Sequence, residues 1–222
     1  MEYARLSRRS LLALATATGV TMAADAAISA TPHSPDPTDP WQRLLTGNNR
    51  FAEGRPRHPH QDPAHRQSLV DAQHPIACVL GCADSRVPAE ILFDQGLGDL
   101  FTVRAVGEVL DDAVVGSIEY AAEHLHVPLI VILGHSGCGA VKAAIDLVNG
   151  RSVVTGNVDT VARAIEATVR ATPPDPDATR FLNTCVRNQT TRVAQELTTR
   201  SGIRTRIVTA VYDLRTGRVT AH

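Results

Sequence analysis

Leu129-Ile130-Val131-Ile132-Leu133-Gly134-His135-Ser136-Gly137-Cys138-Gly139 decides the fold: an unbroken apolar run stops at a glycine, and a histidine and a cysteine follow in a glycine-rich loop. A short run with no polar alternation is expected of a strand buried on both faces, as in a parallel sheet covered by helices. The same grammar occurs upstream. Pro75-Ile76-Ala77-Cys78-Val79-Leu80 is apolar and ends at Gly81, after which Cys82-Ala83-Asp84-Ser85-Arg86 offers a thiolate, a carboxylate and a guanidinium. Ligands of open α/β sheets sit beyond the carboxyl ends of strands, so two adjacent strands would bring Cys82 and His135 together. Cys138 lies three residues past His135, within reach of the same ion.

Outward from these runs, strands and helices alternate. The pattern predicts a short helix at Pro88–Phe93, a strand at Leu100–Val103 and a helix at Asp111–Leu125. A helix follows at Ala140–Asn149 with Gly150 as its stop, then helices at Val158–Ala171 and Ala178–Thr199, separated by Pro173-Pro174-Asp175-Pro176. A last strand is expected at Ile207–Leu214, with a turn at Thr216-Gly217. This is an α/β domain with a central, largely parallel sheet flanked by helices. Trp41 to Phe51 reads as a short amphipathic helix suited to a neighbouring subunit. Residues 54–66, with His58, His60 and His65 among prolines, read as a loop carrying exposed histidines.

The N-terminus has a different composition. Arg5, Arg8 and Arg9 precede a mildly apolar stretch from Leu11 to Ala24 and small residues up to Ala30. That is the three-part layout of an export signal over residues 1–30, too weakly apolar for a permanent membrane span. Ser7-Arg8-Arg9-Ser10-Leu11-Leu12 resembles the twin-arginine class, which implies an exported protein. Residues 31–40, with Pro32, Pro35, Pro37 and Pro40, read as a linker before a domain at 41–222. A net charge of -1 and 4% aromatic residues give no basis for nucleic-acid binding. The four cysteines lack the spacing of a disulfide framework, and no bridge is expected.

Two thiolates and one imidazole select zinc over magnesium or calcium. Three ligands leave a fourth position open, the arrangement of a catalytic rather than a structural site. Neither loop has the Cys-x-x-Cys of a thiol redox centre. Gly-His-Ser-Gly-Cys-Gly also lacks the lysine and spacing of a phosphate-binding loop.

Cys-x-Asp-Ser-Arg followed by His-x-x-Cys resembles the metal signature of the β-class carbonic anhydrases. The likeness runs from about Trp41 to the end and includes Gly-Asn-Asn-Arg-Phe at 47–51, Glu119-Tyr120, and Tyr212-Asp213-Leu214 with Thr216-Gly217. The resemblance implies an α/β fold working as dimers or multiples of dimers. It implies zinc held by Cys82, His135 and Cys138, with Asp84 and Arg86 as a paired dyad beside it. Asp84 is two residues from a ligand, so without the grip of Arg86 it is expected to swing onto the zinc as a fourth ligand in a closed state. It further implies a substrate pocket of Gln73, Phe101, Val106 and Tyr120, and reversible hydration of carbon dioxide to bicarbonate and a proton. Hydrolysis of an analogue such as carbonyl sulfide or carbon disulfide on the same residues is the rival within enzymes. A non-catalytic, zinc-stabilised dimer is the rival outside them. Arg104 and Tyr212 match part of the family's bicarbonate-sensitive regulatory set, but Val79 stands where those members carry tryptophan. Glu108 is a departure, because the family's Arg-Val-Ala-Gly-Asn pattern ends here in an acid. The segment at 195–206 is shorter than the family's. No proton shuttle stands out among His74, His124 and His126.

Overall fold

The structure is a computed structural model that describes residues 36–151 and 155–222. The expected export signal at 1–30 and the first half of the expected linker lie outside these residues. Five strands form one sheet: β1 (Ala77–Gly81), β2 (Leu100–Arg104), β3 (Leu129–His135), β4 (Arg206–Tyr212) and β5 (Val219–Ala221). Their order is β2-β1-β3-β4-β5. The first four run parallel, and β5 closes one edge antiparallel to β4.

Every residue of β1 and β3 is buried, which is why their sequences show no polar alternation. The pleat still divides them. Val79, Leu129, Val131 and Leu133 join one core cluster, and Cys78, Leu80, Ile130 and Ile132 join another on the opposite face. The helices are α1 (Pro40–Ala52), α2 (Pro63–Ser68), α3 (Ala89–Leu92), α4 (Asp112–Glu119), α5 (Gly139–Val148), α6 (Asn157–Ala171) and α7 (Ala178–Ser201). Helix α7 serves both faces: Cys185 and Val186 pack in the first cluster, Val193 and Leu197 in the second. No helix among the described residues is long and apolar enough to cross a membrane.

The chain leaves β1 for β2 on one side, then returns past β1 to lay β3 on the other. This reversal of direction opens a crevice at the carboxyl ends of β1 and β3, where such sheets bind ligands.

Five local features differ from the expectation. The linker ends early, because Asp39 caps α1 by accepting from the Gln42 amide at 2.9 Å and Pro40 is already its first residue. Helix α1 packs on its own chain, with Trp41 edge-on to Phe93 at 6.4 Å and Leu44 fully buried, so it is not an arm reserved for a neighbour. The expected loop at 54–66 gives way at its end to α2, capped by Asp62. The helix expected at 111–125 is α4 followed by a five-residue π turn, Tyr120–His124. At the C-terminus β4 stops at Tyr212, because the Asp213 carboxylate gathers the amides of Arg215 and Thr216 at 2.8 Å into a turn. The three-residue β5 beyond it is too short to leave a pattern in the sequence.

The Gly-Asn-Asn-Arg-Phe stretch holds α1 against the sheet. A Cβ on Gly47 would lie 1.8 Å from the Phe93 carbonyl oxygen, so only glycine permits this approach. Asn48, 1% exposed, donates to the carbonyls of Leu92 and Gly217 and accepts from the Val219 amide. Arg50 Nε meets Asp94 at 2.6 Å.

Candidate metal centre

Cys82 is the first residue beyond β1, His135 the last of β3, and Cys138 the residue capping α5. Gly137, at φ 67°, turns the chain between the last two. This turn is pinned to β4: the Ser136 amide donates to the Tyr212 carbonyl at 2.9 Å, and Ser136 Oγ accepts from the Leu214 amide at 3.0 Å. The Tyr212-Asp213-Leu214 stretch thus sets the height of the His135 loop.

Cys82, His135 and Cys138 are 3%, 0% and 1% exposed, and one donor atom from each lies within 4.8 Å of the others. His135 Nδ1 lies 3.1 Å from the Ser136 carbonyl, to which it donates, which leaves Nε2 as the acceptor nitrogen. Nε2 is buried and has no hydrogen-bond partner among the described residues. A buried imidazole nitrogen without a partner, facing two thiols, is a donor set ready for a soft divalent cation. Cys82 is held low by the hydrogen bond from Cys138 against the cost of burial, and Cys138 is correspondingly raised. All four cysteines are free thiols, and Cys78 is pushed up to about 12 by burial alone.

Asp84 stands at the rim, its Oδ2 3.9 Å from His135 Nε2. Arg86 grips it through two parallel bonds, Nε to Oδ1 at 2.9 Å and Nη2 to Oδ2 at 2.7 Å, and the Arg86 amide adds a third at 2.9 Å. The Arg86 guanidinium holds the Asp84 carboxyl well below the usual carboxylate range. Arg104, in register with Gly81, reaches under the same loop and donates to the carbonyls of Cys82 (3.0 Å) and Asp84 (2.6 Å). Reading the sequence placed Arg104 in a family position without revealing this clamp.

A pocket of about 490 Å³ opens over these groups, walled by Val106, Ala140, Val158 and Val161. A larger hollow of about 720 Å³, between Phe51, Ile91, Gln95 and Leu97, contains none of the metal ligands. Of the expected pocket residues only Val106 lines the metal pocket within one chain. Gln73 is exposed and precedes β1, so about 17 Å of strand separates it from Cys82. Phe101 pairs with Cys78 and packs with the core cluster on the far face, its ring 6.1 Å from that of Tyr120. His74, His124 and His126 are exposed and do not line the metal pocket.

Glu108 ends a one-turn helix, Val106–Glu108, at 1% exposure and with a left-handed φ of 54°. Its Oε1 has no partner among the described residues. Burial, with the Cys82 charge adding to it, raises its carboxyl well above the ordinary range.

The family model described as carbonic anhydrase matches residues 77–219, which include β1, the metal ligands and the start of β5. This chain belongs to the carbonic anhydrase family. Over 134 residues it is 52% identical to carbonic anhydrase 2 of Mycobacterium tuberculosis, and equally to a carbonic anhydrase of Mycolicibacterium smegmatis. Each match takes in 60% of this chain and 65% of the relative, so it spans less than two thirds of those relatives. The fold is that of the β-class carbonic anhydrases. A tetrameric member from Sordaria macrospora superposes with TM-score 0.60 at 24% identity, over 82% of this chain and 95% of its own. The Coccomyxa member, solved with acetazolamide, gives 0.63 at 22%, over 80% and 84%.

Proposed function

We propose that this chain hydrates carbon dioxide reversibly to bicarbonate and a proton, with zinc held by Cys82, His135 and Cys138. The observation that carries the reading is the convergence of three buried donors on one point, with an ionised, arginine-locked carboxylate 3.9 Å from the histidine nitrogen. Bound there, zinc would lower the pKa of water to about 7 and make it a nucleophile near neutral pH. Asp84 accepts a hydrogen bond from the attacking water and so aims its lone pair at the substrate carbon. Arg86 occupies both carboxylate oxygens and keeps Asp84 from turning inward as a fourth ligand. Val106, Ala140 and Val161 form an apolar wall that admits an uncharged linear molecule and excludes bulk water.

The remaining pocket wall comes from a second copy. Gln73, Phe101 and Tyr120 lie off the metal pocket in a single chain, and Tyr120 is 47% exposed, so a homodimer can present one copy's trio to the other copy's metal. Export through a twin-arginine-type signal completes the proposal, supported by Arg8-Arg9 and the apolar stretch behind them.

Stopped-flow hydration of carbon dioxide by the zinc-loaded protein tests the activity, with Cys82→Ser as the control; turnover no faster than the control refutes it. Mixing inactive Asp84→Asn with inactive Gln73→Ala tests the shared site. Mixed dimers regain activity if each site draws on both chains, and stay inactive if it does not.

A further inference from the structure

The sulfur of Cys82 has a partner that the reaction as described leaves unused. It accepts a hydrogen bond from the Gly107 amide at 3.4 Å, in the buried space behind the metal ligands. That amide is aimed by an uncommon backbone: Gly107 (φ 68°) and Glu108 (φ 54°) are successive left-handed residues. Left-handed geometry is costly for a non-glycine residue, so the segment relaxes unless its surroundings hold it.

Two side chains supply that hold. Gln189 on α7 donates from Nε2 to the Gly107 carbonyl at 3.3 Å, and its Oε1 accepts from Thr168 Oγ1 on α6 at 2.6 Å. The orientation of the amide is fixed, because the reverse flip would set two oxygens against each other at Gly107. Both residues are 3% exposed. Gln189 sits on the stripe of α7 that also buries Cys185, Val186, Thr190, Val193 and Leu197, where an aliphatic side chain would pack without desolvating an amide. Neither Gln189 nor Thr168 lines the metal pocket. A polar pair is thus buried between α6 and α7, and its amide reaches the loop that donates to a metal ligand.

We propose that Gln189, backed by Thr168, is a positioning residue for the metal centre. It fixes Gly107 so that the amide donates to the Cys82 sulfur, and so sets how much electron density that thiolate gives to the ion. This rests on the metal-site reading above and deepens it. Partners one step beyond a ligand tune a metal's affinity and the charge it carries. Withdrawing the amide makes the thiolate a stronger and less well-placed donor.

The test uses the full protein with cobalt in place of zinc, reading the near-ultraviolet sulfur-to-cobalt charge-transfer band, and zinc affinity by chelator competition. Gln189→Leu is expected to move the band to lower energy and to weaken zinc binding about tenfold. Thr168→Val moves the band in the same direction by less, and Thr168→Ser, which keeps the hydroxyl, leaves it in place. A Gln189→Leu protein that melts normally with band and affinity unchanged overturns the proposal. Should that variant fail to fold, the threonine pair decides: equal bands for valine and serine overturn it, and a shift with valine alone supports it. If the unsubstituted protein shows no charge-transfer band, the metal reading itself fails and this inference with it. A band that neither substitution moves removes only the inference.

Discussion

Asn48 and Asn49 are adjacent, identical residues with opposite fates, and exchanging each for alanine tests how α1 is held. Asn48 is 1% exposed and makes three hydrogen bonds: to the Leu92 carbonyl at 3.0 Å, to the Gly217 carbonyl at 2.9 Å, and from the Val219 amide at 2.8 Å. It fastens α1 to the end of α3 and to the turn between β4 and β5. Three bonds at about 1 kcal/mol each, with a further 1–2 kcal/mol for leaving the buried Val219 amide unpaired, give about 4–5 kcal/mol for Asn48→Ala. In a domain of this size each kcal/mol lowers the melting temperature by about 2–4 °C, so a fall of roughly 8–20 °C is expected. Asn49 is exposed and accepts one bond, from Arg218 at 2.9 Å, so Asn49→Ala changes stability by about 0.5 kcal/mol or less. Calorimetric melts at matched protein and zinc concentrations compare the two, since bound metal and self-association both move the transition. A drop below about 3 °C for Asn48→Ala, or a larger one for Asn49→Ala, would refute the account of α1 as hydrogen-bonded into the sheet.

Two further substitutions and one labelling experiment follow from the site. Arg86→Ala frees Asp84 to turn inward, so the protein keeps its zinc by elemental analysis but loses hydration in stopped flow; an active variant would count against the dyad. Glu108 has a folded pKa raised above its unfolded 4.5, so its neutral form stabilises the fold fully below that value, and the contribution is lost as pH rises toward the folded pKa. In urea melts of the metal-stripped protein, Glu108→Gln should therefore gain stability over the parent between pH 5 and 7, by up to about 1.4 kcal/mol per unit; parallel curves would show that Glu108 ionises freely. Cys78, pushed up to about 12, should resist iodoacetamide at pH 7 in the folded metal-stripped protein, while Cys82, which lines the pocket, alkylates and is protected by zinc. Labelling of Cys78 ahead of Cys82 would contradict this.

The two glycine-ended apolar runs were legible because burial on both faces removes every polar residue from a strand, a signature that survives in one dimension. Helix starts were legible where a side chain caps them, as at Asp177 for α7. The metal ligands stood out because soft donors in glycine-edged loops are a local pattern. Less was visible where the determinant lies elsewhere in the chain. Nothing in 54–68 marks α2 strongly, since its six residues bury no side chain. The pocket wall implied by Gln73, Phe101 and Tyr120 does not assemble inside one chain, because strand length and pleat send these residues to another end or face of the sheet. Gln189 left only a faint signal, a polar residue on a buried helical stripe.

By itself the sequence determined a parallel α/β sheet, the loops that carry chemistry and the kind of ion they suit, since periodicity and donor softness are properties of neighbouring residues. Only the tertiary structure decided that β1 and β3 are the adjacent strands at the sheet's switch point, that Arg104 clamps the Cys82 loop from beneath, and that Gln189 reaches a metal ligand through Gly107. These are contacts between residues 22 to 82 positions apart, and their energies depend on packing and burial, which exist only once the chain has closed on itself.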